Sequence, residues 1–368
     1  MTTSKNIEKS PALVQGFSSS ARLYLRPVGI TPPKDAPTGA MDLAGGPLKF
    51  TSLEIIIREG LAIHREVIEI GGVFEWAEAI GRSAQVQASL ARLTAPRTTI
   101  CGLDFAQPSV MGILNATPDS FHDGGRDVDV VAAIERGFDM IEAGAELIDV
   151  GGESTRPGAA PVAEVEEASR VLPIIAGLGE GGAAISIDSR RAGVMRQALA
   201  AGAAIINDVH ALTGAGCLQV ALQADAPVIL MHGPADPQVM AEQTEYADVL
   251  LDTYDWLAAR IDACEAGGMA RHNIIIDPGV GFAKTAVQSA AVIGGISLFH
   301  GLGCAVMLGA SRKSFIAGVS AGEPSADRLA GSIAAVFVAL SQGVQVLRVH
   351  DVAETCQAVR VWRAMADV

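Results

Sequence analysis

Residues able to do chemistry recur in this 368-residue chain just beyond short apolar runs. Asn115 is the first. Glu153-Ser154-Thr155-Arg156-Pro157-Gly158 comes next, followed by Asp188, Asn207-Asp208 and Met231-His232. Asp277-Pro278-Gly279, Ser311-Arg312-Lys313-Ser314, Arg348 and His350-Asp351 complete the series. A single Asp or Asn at such a place is more often a helix cap or turn former than a catalytic group. Eight in succession, with both signs of charge, are not explained by capping. Asp188, Asn207 and Asp277 offer two carboxylates and an amide, the set that grips the donor-and-acceptor edge of a flat heterocycle such as an aminopyrimidinone. Charge-assisted bonds of that kind contribute about 1.5–3 kcal/mol each. Arg348 and His350 stand two apart, so on a strand they share a face; with Asn115 they can hold an anion or its metal ion. A diphosphate with Mg²⁺ fits, because Mg²⁺ takes a few protein oxygens plus substrate phosphates, and Asp123 is a second candidate contact. Lys313 and Ser314, with Thr155 and Arg156, could receive a second, carboxylate-bearing substrate.

Convergence of these groups requires a particular scaffold. Apolar runs of strand length occur at Val110–Asn115, Glu146–Gly151, Ala184–Asp188, Ala204–Asp208, Val228–His232, Ile274–Asp277, Val306–Ala310 and Gln345–His350. Helical periodicity falls between them, at Val130–Ala143, Glu164–Ala176, Arg191–Ala201, Ala247–Ala266 and Arg328–Gln342. Eight strand-then-helix units over about 260 residues are the count and length of a (β/α)8 TIM barrel, which points every strand end at one face. A doubly wound open sheet competes, but it normally has fewer strands, and no GxGxxG opens the first helix.

Residues 1–96 precede that pattern and read as a small N-terminal α+β extension, leaving 97–368 for the barrel. Phe17–Arg26 and Thr31–Pro37 suggest an irregular arm. Phe50–Ile70 suggests a strand and an amphipathic helix, and Val73–Leu93 a helix. Thr98–Phe105 is expected to close the bottom of the barrel as a hairpin strand. Lys49, Arg58, Arg65 and Arg82 are expected on the solvated surface.

With 49% apolar and 18% charged residues the chain can build a large core. Its net charge of −14 would repel nucleic acid and anionic membranes. Five cysteines without CxxC or zinc spacing suit free thiols in a reducing compartment, and the polar opening ten residues carry no secretory signal, so a cytoplasmic protein is expected. Ser341, Gln342 and Gln345 interrupt the longest apolar region, which excludes a membrane span there.

The motifs taken whole resemble the dihydropteroate synthase family of pterin-binding TIM barrels. Met111-Gly-Ile-Leu-Asn-Ala-Thr-Pro-Asp-Ser-Phe121 is similar to one family signature and Ile148-Asp-Val-Gly-Gly-Glu-Ser-Thr-Arg-Pro-Gly158 to the other. Ile205-Ile-Asn-Asp208, Ile276-Asp-Pro-Gly279, Ser311-Arg-Lys-Ser314 and Arg348-Val-His350 also resemble family motifs. The resemblance implies a sulfonamide-sensitive transferase of folate biosynthesis that joins 6-hydroxymethyl-7,8-dihydropterin diphosphate to 4-aminobenzoate. It implies pterin binding by Asp188, Asn207, Met231, Asp277, Phe282 and Lys313. Asn115, Arg348 and His350 would hold the diphosphate, with Mg²⁺ on Asn115 and Asp123. Phe121, Thr155, Arg156, Pro157 and Ser314 would form the 4-aminobenzoate site. The partners implied are these small molecules and a second copy of the chain.

Two features depart from the family or stay outside it. Met231-His-Gly-Pro-Ala-Asp-Pro237 replaces a segment that commonly carries Arg-Gly, and residues 1–96 match no family motif. Asp149 and Glu153 are read as supporting groups within the barrel, and His232 either faces the pocket or is a satisfied structural histidine. Gly281-Phe-Ala-Lys-Thr285 has only the second half of a P-loop. A pterin-dependent methyltransferase would share the barrel and the pterin carboxylates but would need no diphosphate pocket, so Arg348, His350 and the Ser-Thr-Arg-Pro loop tell against it. A non-catalytic relative would be expected to have lost site residues, and none is lost.

Overall fold

The computed structural model describes residues 17–18, 20–116, 130–153, 162–179, 181–233 and 244–367. Two sheets share the chain. The first is antiparallel: β1 (Arg22–Thr31), β2 (Met41–Asp42), β3 (Lys49–Glu59) and β4 (Ala62–Glu69), with β3 pairing the other three. Helices α1 (Val73–Ala79) and α2 (Ser83–Thr94) cover one of its faces. The expected irregular arm is thus in part the ten-residue strand β1, and the expected amphipathic helix after residue 50 is a hairpin. The physical reason lies in β3. Leu53, Ile55 and Ile57 enter a core with Val73, Val86 and Leu90, while Ile56 on the opposite face joins the barrel's core. A strand buried on both faces loses the period-two alternation that identifies strands. The single helix expected over residues 73–93 is two, parted at Gly81, whose φ is +69°.

Eight parallel strands then close into a barrel: β5 (Ser109–Asn115), β6 (Leu147–Gly151), β7 (Ala184–Asp188), β8 (Ile205–Asp208), β9 (Val228–Met231), β10 (Ile274–Asp277), β11 (Ala305–Leu308) and β12 (Val346–Val349). Each is paired with its sequence neighbours, and β12 returns to β5. Around them run α3 (Val130–Glu142), α4 (Glu164–Leu178), α5 (Ala192–Ala200), α6 (Cys217–Gln223), α7 (Val249–Ala266), α8 (Ala286–Gly294), α9 (Ser314–Val319), α10 (Leu329–Leu340) and α11 (Val352–Ala366). Outward strand residues such as Ile148, Ile187, Ile206 and Ile276 pack against these helices. Ile100, Leu103 and Phe105 plug the bottom, joined by one isolated bridge between Ile100 and Leu103 rather than by the expected hairpin strand.

The antiparallel layer docks on α7 and on a 3-10 segment, Ile296–Leu302. Asp248, Asp252 and Asp255 recur at helical spacing along α7 and its N-cap. They receive Arg65 (2.6 Å), Arg58 (2.5 Å) and Arg22 (2.5 Å). Arg58, part-buried, is therefore an intramolecular clasp and not solvated surface, whereas Arg65 makes its pair while staying exposed, as expected. Tyr24 Oη donates to Asp255 and its ring meets Tyr254 edge-on at 5.5 Å.

Candidate active site

Strand alternation decides what enters the barrel. The lowest inward row is apolar: Met111, Leu147, Ile205, Ile229, Ile275, Met307 and Val346 close over the plug. Two residues further along the strands the row turns polar, with Asp149, Asn207, Asp277, Gly309 and Arg348. Asp188 ends β7, Asn115 ends β5, and His350 lies just past β12. This alternation turns Asn207 inward and Asp208 outward. The Asp208 carboxylate caps the following turn, accepting from the backbone N–H groups of His210 and Leu212, each at 2.8 Å.

Arg348 is the hub of the polar row. Its Nε donates to Asp149 Oδ2 at 2.7 Å and its Nη2 to Asp188 Oδ2 at 2.7 Å. Asn207 Nδ2 donates to the same Asp149 oxygen at 2.9 Å. Burial works against the Arg348 charge, but Asp149 and Asp188 more than offset it and raise its pKa. Burial, helped by the neighbouring Asp149, holds the Asp188 carboxyl above the usual range against the pull of Arg348. Asp149 is fully buried, and the supporting role read for it amounts to the central anchor of the site.

A second group faces this hub. Asp277 Oδ1 accepts from Gly279 N at 2.8 Å, and burial raises its pKa against the nearby Lys313. Lys313 Nζ donates to Val280 O at 2.5 Å and lies 4.5 Å from the centre of the Phe282 ring. Burial lowers its pKa to about 8. Between the groups stands Gly309. A Cβ there would be 3.4 Å from Asp277 Oδ2, 3.8 Å from Lys313 Nζ and 3.9 Å from Arg348 Cβ. The bare backbone leaves open the space these polar atoms surround. Met231 is buried in the same inward row.

The rim carries the remaining described candidates. Asn115 is half-buried, Ser314 is exposed at the start of α9, and His350 Nδ1 lies 3.2 Å from Ser311 Oγ. Phe121, Asp123, Thr155, Arg156 and Pro157 lie outside the described residues, as does most of the variant segment 233–237. Both flanks of 154–161 are nonetheless fixed. Glu153 accepts from Val162 N (3.0 Å), Arg191 Nη2 (2.8 Å) and Arg190 Nε (3.1 Å). Burial opposes its charge, yet these bonds hold Glu153 down at about 2.

Lys284 has a part that its sequence context did not indicate. Its Nζ lies 2.8 Å from His232 Nδ1 and donates to the carbonyls of Gly279 (3.0 Å) and Phe282 (3.2 Å). Burial first, then Lys284, drops His232 to about 2, and burial lowers Lys284 to about 7, so the ring beside Lys284 Nζ is neutral. The pair knits the end of β9 to the turn after β10 that carries Phe282. Lys284 points inward and cradles no phosphate.

The pterin binding enzyme family matches residues 111–350. The dihydropteroate synthase of Escherichia coli (strain K12) is 41% identical over 263 residues, 71% of this chain and 93% of that protein. That of Haemophilus influenzae is 39% identical over 266 residues, 72% of this chain and 96% of that one. Among solved structures, Xanthomonas albilineans dihydropteroate synthase with 4-aminobenzoic acid superposes with a TM-score of 0.70 at 41% identity, covering 74% of this chain and 99% of that chain. The same enzyme in complex with 7,8-dihydropteroate gives 0.67 at 38% identity, covering 74% and 100%. A Yersinia pestis dihydropteroate synthase with a sulfonamide drug gives 0.70, also at 38% identity and with the same coverage.

Proposed function

We infer the reaction from membership: the chain belongs to the pterin binding enzyme family and, within it, to the dihydropteroate synthases. It is a transferase that condenses 6-hydroxymethyl-7,8-dihydropterin diphosphate with 4-aminobenzoate, giving 7,8-dihydropteroate and diphosphate in folate biosynthesis. The observation that carries this reading is the open space at Gly309, walled by Asp277, Lys313 and the Asp188–Arg348–Asp149 bridge.

In our assignment the aminopyrimidinone edge of the pterin lies against Asp188, Asn207 and Asp277, with Met231 and Phe282 as apolar walls and Lys313 above the Phe282 ring. Arg348, besides aligning Asp188 and Asp149, places positive charge beneath the diphosphate, with Asn115 and His350 at the rim. Phe121, Thr155, Arg156, Pro157 and Ser314 take 4-aminobenzoate. Breaking the methylene C–O bond sends its electron pair to the departing diphosphate and leaves positive charge on the pterin methylene. The buried carboxylates of Asp188 and Asp277 favour that charge, and exclusion of water protects it until the arylamine nitrogen attacks and releases a proton. The residues fit a Mg²⁺ shared with substrate. No cluster of three His, Cys, Asp or Glu could cage a metal among the described residues, whereas the Asn115 amide, with Asp123, offers oxygens to an ion held chiefly by phosphate. The ion would supply charge neutralisation to the leaving diphosphate.

All five thiols are free, which supports the cytoplasm as its place. A homodimer is proposed on the family likeness alone. The test is diphosphate release by the purified protein given the dihydropterin diphosphate and Mg²⁺. Release that requires 4-aminobenzoate, accompanies dihydropteroate formation and is inhibited competitively by a sulfonamide is expected. Tight pterin binding without turnover would overturn the reading.

A further inference from the structure

At the face of the barrel opposite the candidate active site, a cavity of about 270 Å³ lies where α2 and the chain leaving it meet the turn before β10 and the start of β11. Arg92, Arg97 and Arg271 line it, with Ala95, Pro96 and Phe105 among its apolar walls. Part of their placement is structural. The carbonyls ending the 3-10 segment each receive one guanidinium: His300 O from Arg97 Nη2 (3.0 Å), Gly301 O from Arg92 Nε (3.0 Å) and Leu302 O from Arg271 Nη1 (2.9 Å). Such capping explains why arginines gather here but does not balance their charge, since a helix end offers only about half a negative charge.

Arg271 is neutralised by Glu265 at 2.9 Å, with Asp262 at 3.5 Å. Arg97 Nη1 also donates to the carbonyls of Arg92 (2.9 Å) and Ala95 (3.0 Å), but Arg92 and Arg97 form no ion pair among the described residues, and Arg97 Nε is buried without a hydrogen-bond partner. Two uncompensated guanidinium charges stand beside a cavity in a chain of net charge −14. Burying an unpaired cation is costly, and burial depresses the pKa of Arg97 to about 10.

We propose that this cavity binds a small phosphate-bearing molecule, held by Arg92 and Arg97 across the junction between the N-terminal layer and the barrel. A phosphate monoester carries about −1.5 to −2 near neutral pH, which matches the two free positive charges. Planar guanidinium donors suit its oxygens. The alanine, proline and phenylalanine walls take a short organic body, and the volume sits just under the roughly 300–1,000 Å³ of drug-sized pockets. Arg92 lies on α2 of the N-terminal layer and Arg97 at the start of the barrel portion, so a ligand held by both spans the junction.

The experiment is calorimetric titration of glycerol 3-phosphate into the full-length protein and its R92Q, R97Q and R92K variants, alongside turnover assays. Saturable binding is expected, weakened roughly tenfold or more by R92Q and R97Q and less by R92K, with kcat unchanged. Arg92 is the more exposed of the two, so R92Q decides the matter if R97Q fails to fold. Absence of saturable binding would overturn the proposal. So would binding that R92Q leaves untouched but the dihydropterin diphosphate displaces, because the probe would then occupy the active site.

Discussion

Asp188, Asn207, Asp277, Lys313, Arg348 and His350 stand out in the sequence as candidates because each ends or follows an apolar run, and parallel strands gather such positions at one mouth. Asp149 sits two residues inside its strand end, where sequence offers only a buried acid. The inward row shows it joining Arg348 to Asn207. Lys284 gave no signal, since its partners are a histidine some fifty positions earlier and two carbonyls. Replacing Asp188 by Asn removes one of two carboxylates from Arg348. Pterin affinity should fall by about 1.5–3 kcal/mol in calorimetry while the melting temperature stays within a few degrees; unchanged affinity would reject the assignment of that carboxylate. Gly309→Ala tests the open space. Its Cβ meets nothing closer than 3.4 Å, so the fold should be retained, but the methyl group enters the volume assigned to the pterin. Weaker pterin binding with an unchanged melting temperature is expected, and full affinity would place the ring elsewhere.

At the level of elements the barrel strands were legible within one or two residues, because each is a short apolar run bounded by turn residues. The N-terminal sheet was not. β3 is buried on both faces and β1 carries Arg22, Tyr24 and Arg26 on the side that meets α7 or pairs with Glu54, so neither shows simple alternation. Long-range partners define these elements, and Asp252 and Asp255 lie some two hundred residues away. Arg58 and Asp252 are each only part-exposed, so their pair should be coupled more firmly than a surface one. A double-mutant cycle with Arg58→Ala and Asp252→Ala should return about 1 kcal/mol, at or above the top of the exposed range. A coupling near zero would show that the Arg58–Asp252 pair is not what seats the layer.

For the molecule as a whole, the layer's seat on the 3-10 segment gives stability a pH dependence. Burial first, then Arg97, drops His300 from its ordinary 6.5 to about 3, and its Nε2 lies 2.9 Å from Gln342 O. At His300 the unfolded chain therefore binds a proton between about 6.5 and 3 that the folded protein does not, and the contribution of this group to stability falls as pH falls through that window. His232, depressed to about 2, adds a slope of the same sign. In denaturation midpoints read relative to the parent protein, His300→Asn should remove up to about 1.4 kcal/mol per pH unit of this acid destabilisation, a difference that the opposing slopes of Asp188 and Asp208, raised by burial to about 7 and about 6, leave untouched. An unaltered slope would mean that His300 is charged in the folded state.

The docking of residues 22–69 against 248–302 also has a consequence during synthesis. The N-terminal layer leaves the ribosome with its own core available, but its seat does not yet exist. At roughly 5–20 residues per second, the sheet waits about 10–40 seconds for α7. Through that interval Arg22, Arg58 and Arg65 keep the unoccupied face charged, so the side chains that later clasp the barrel first guard a nascent sheet against sticking to another.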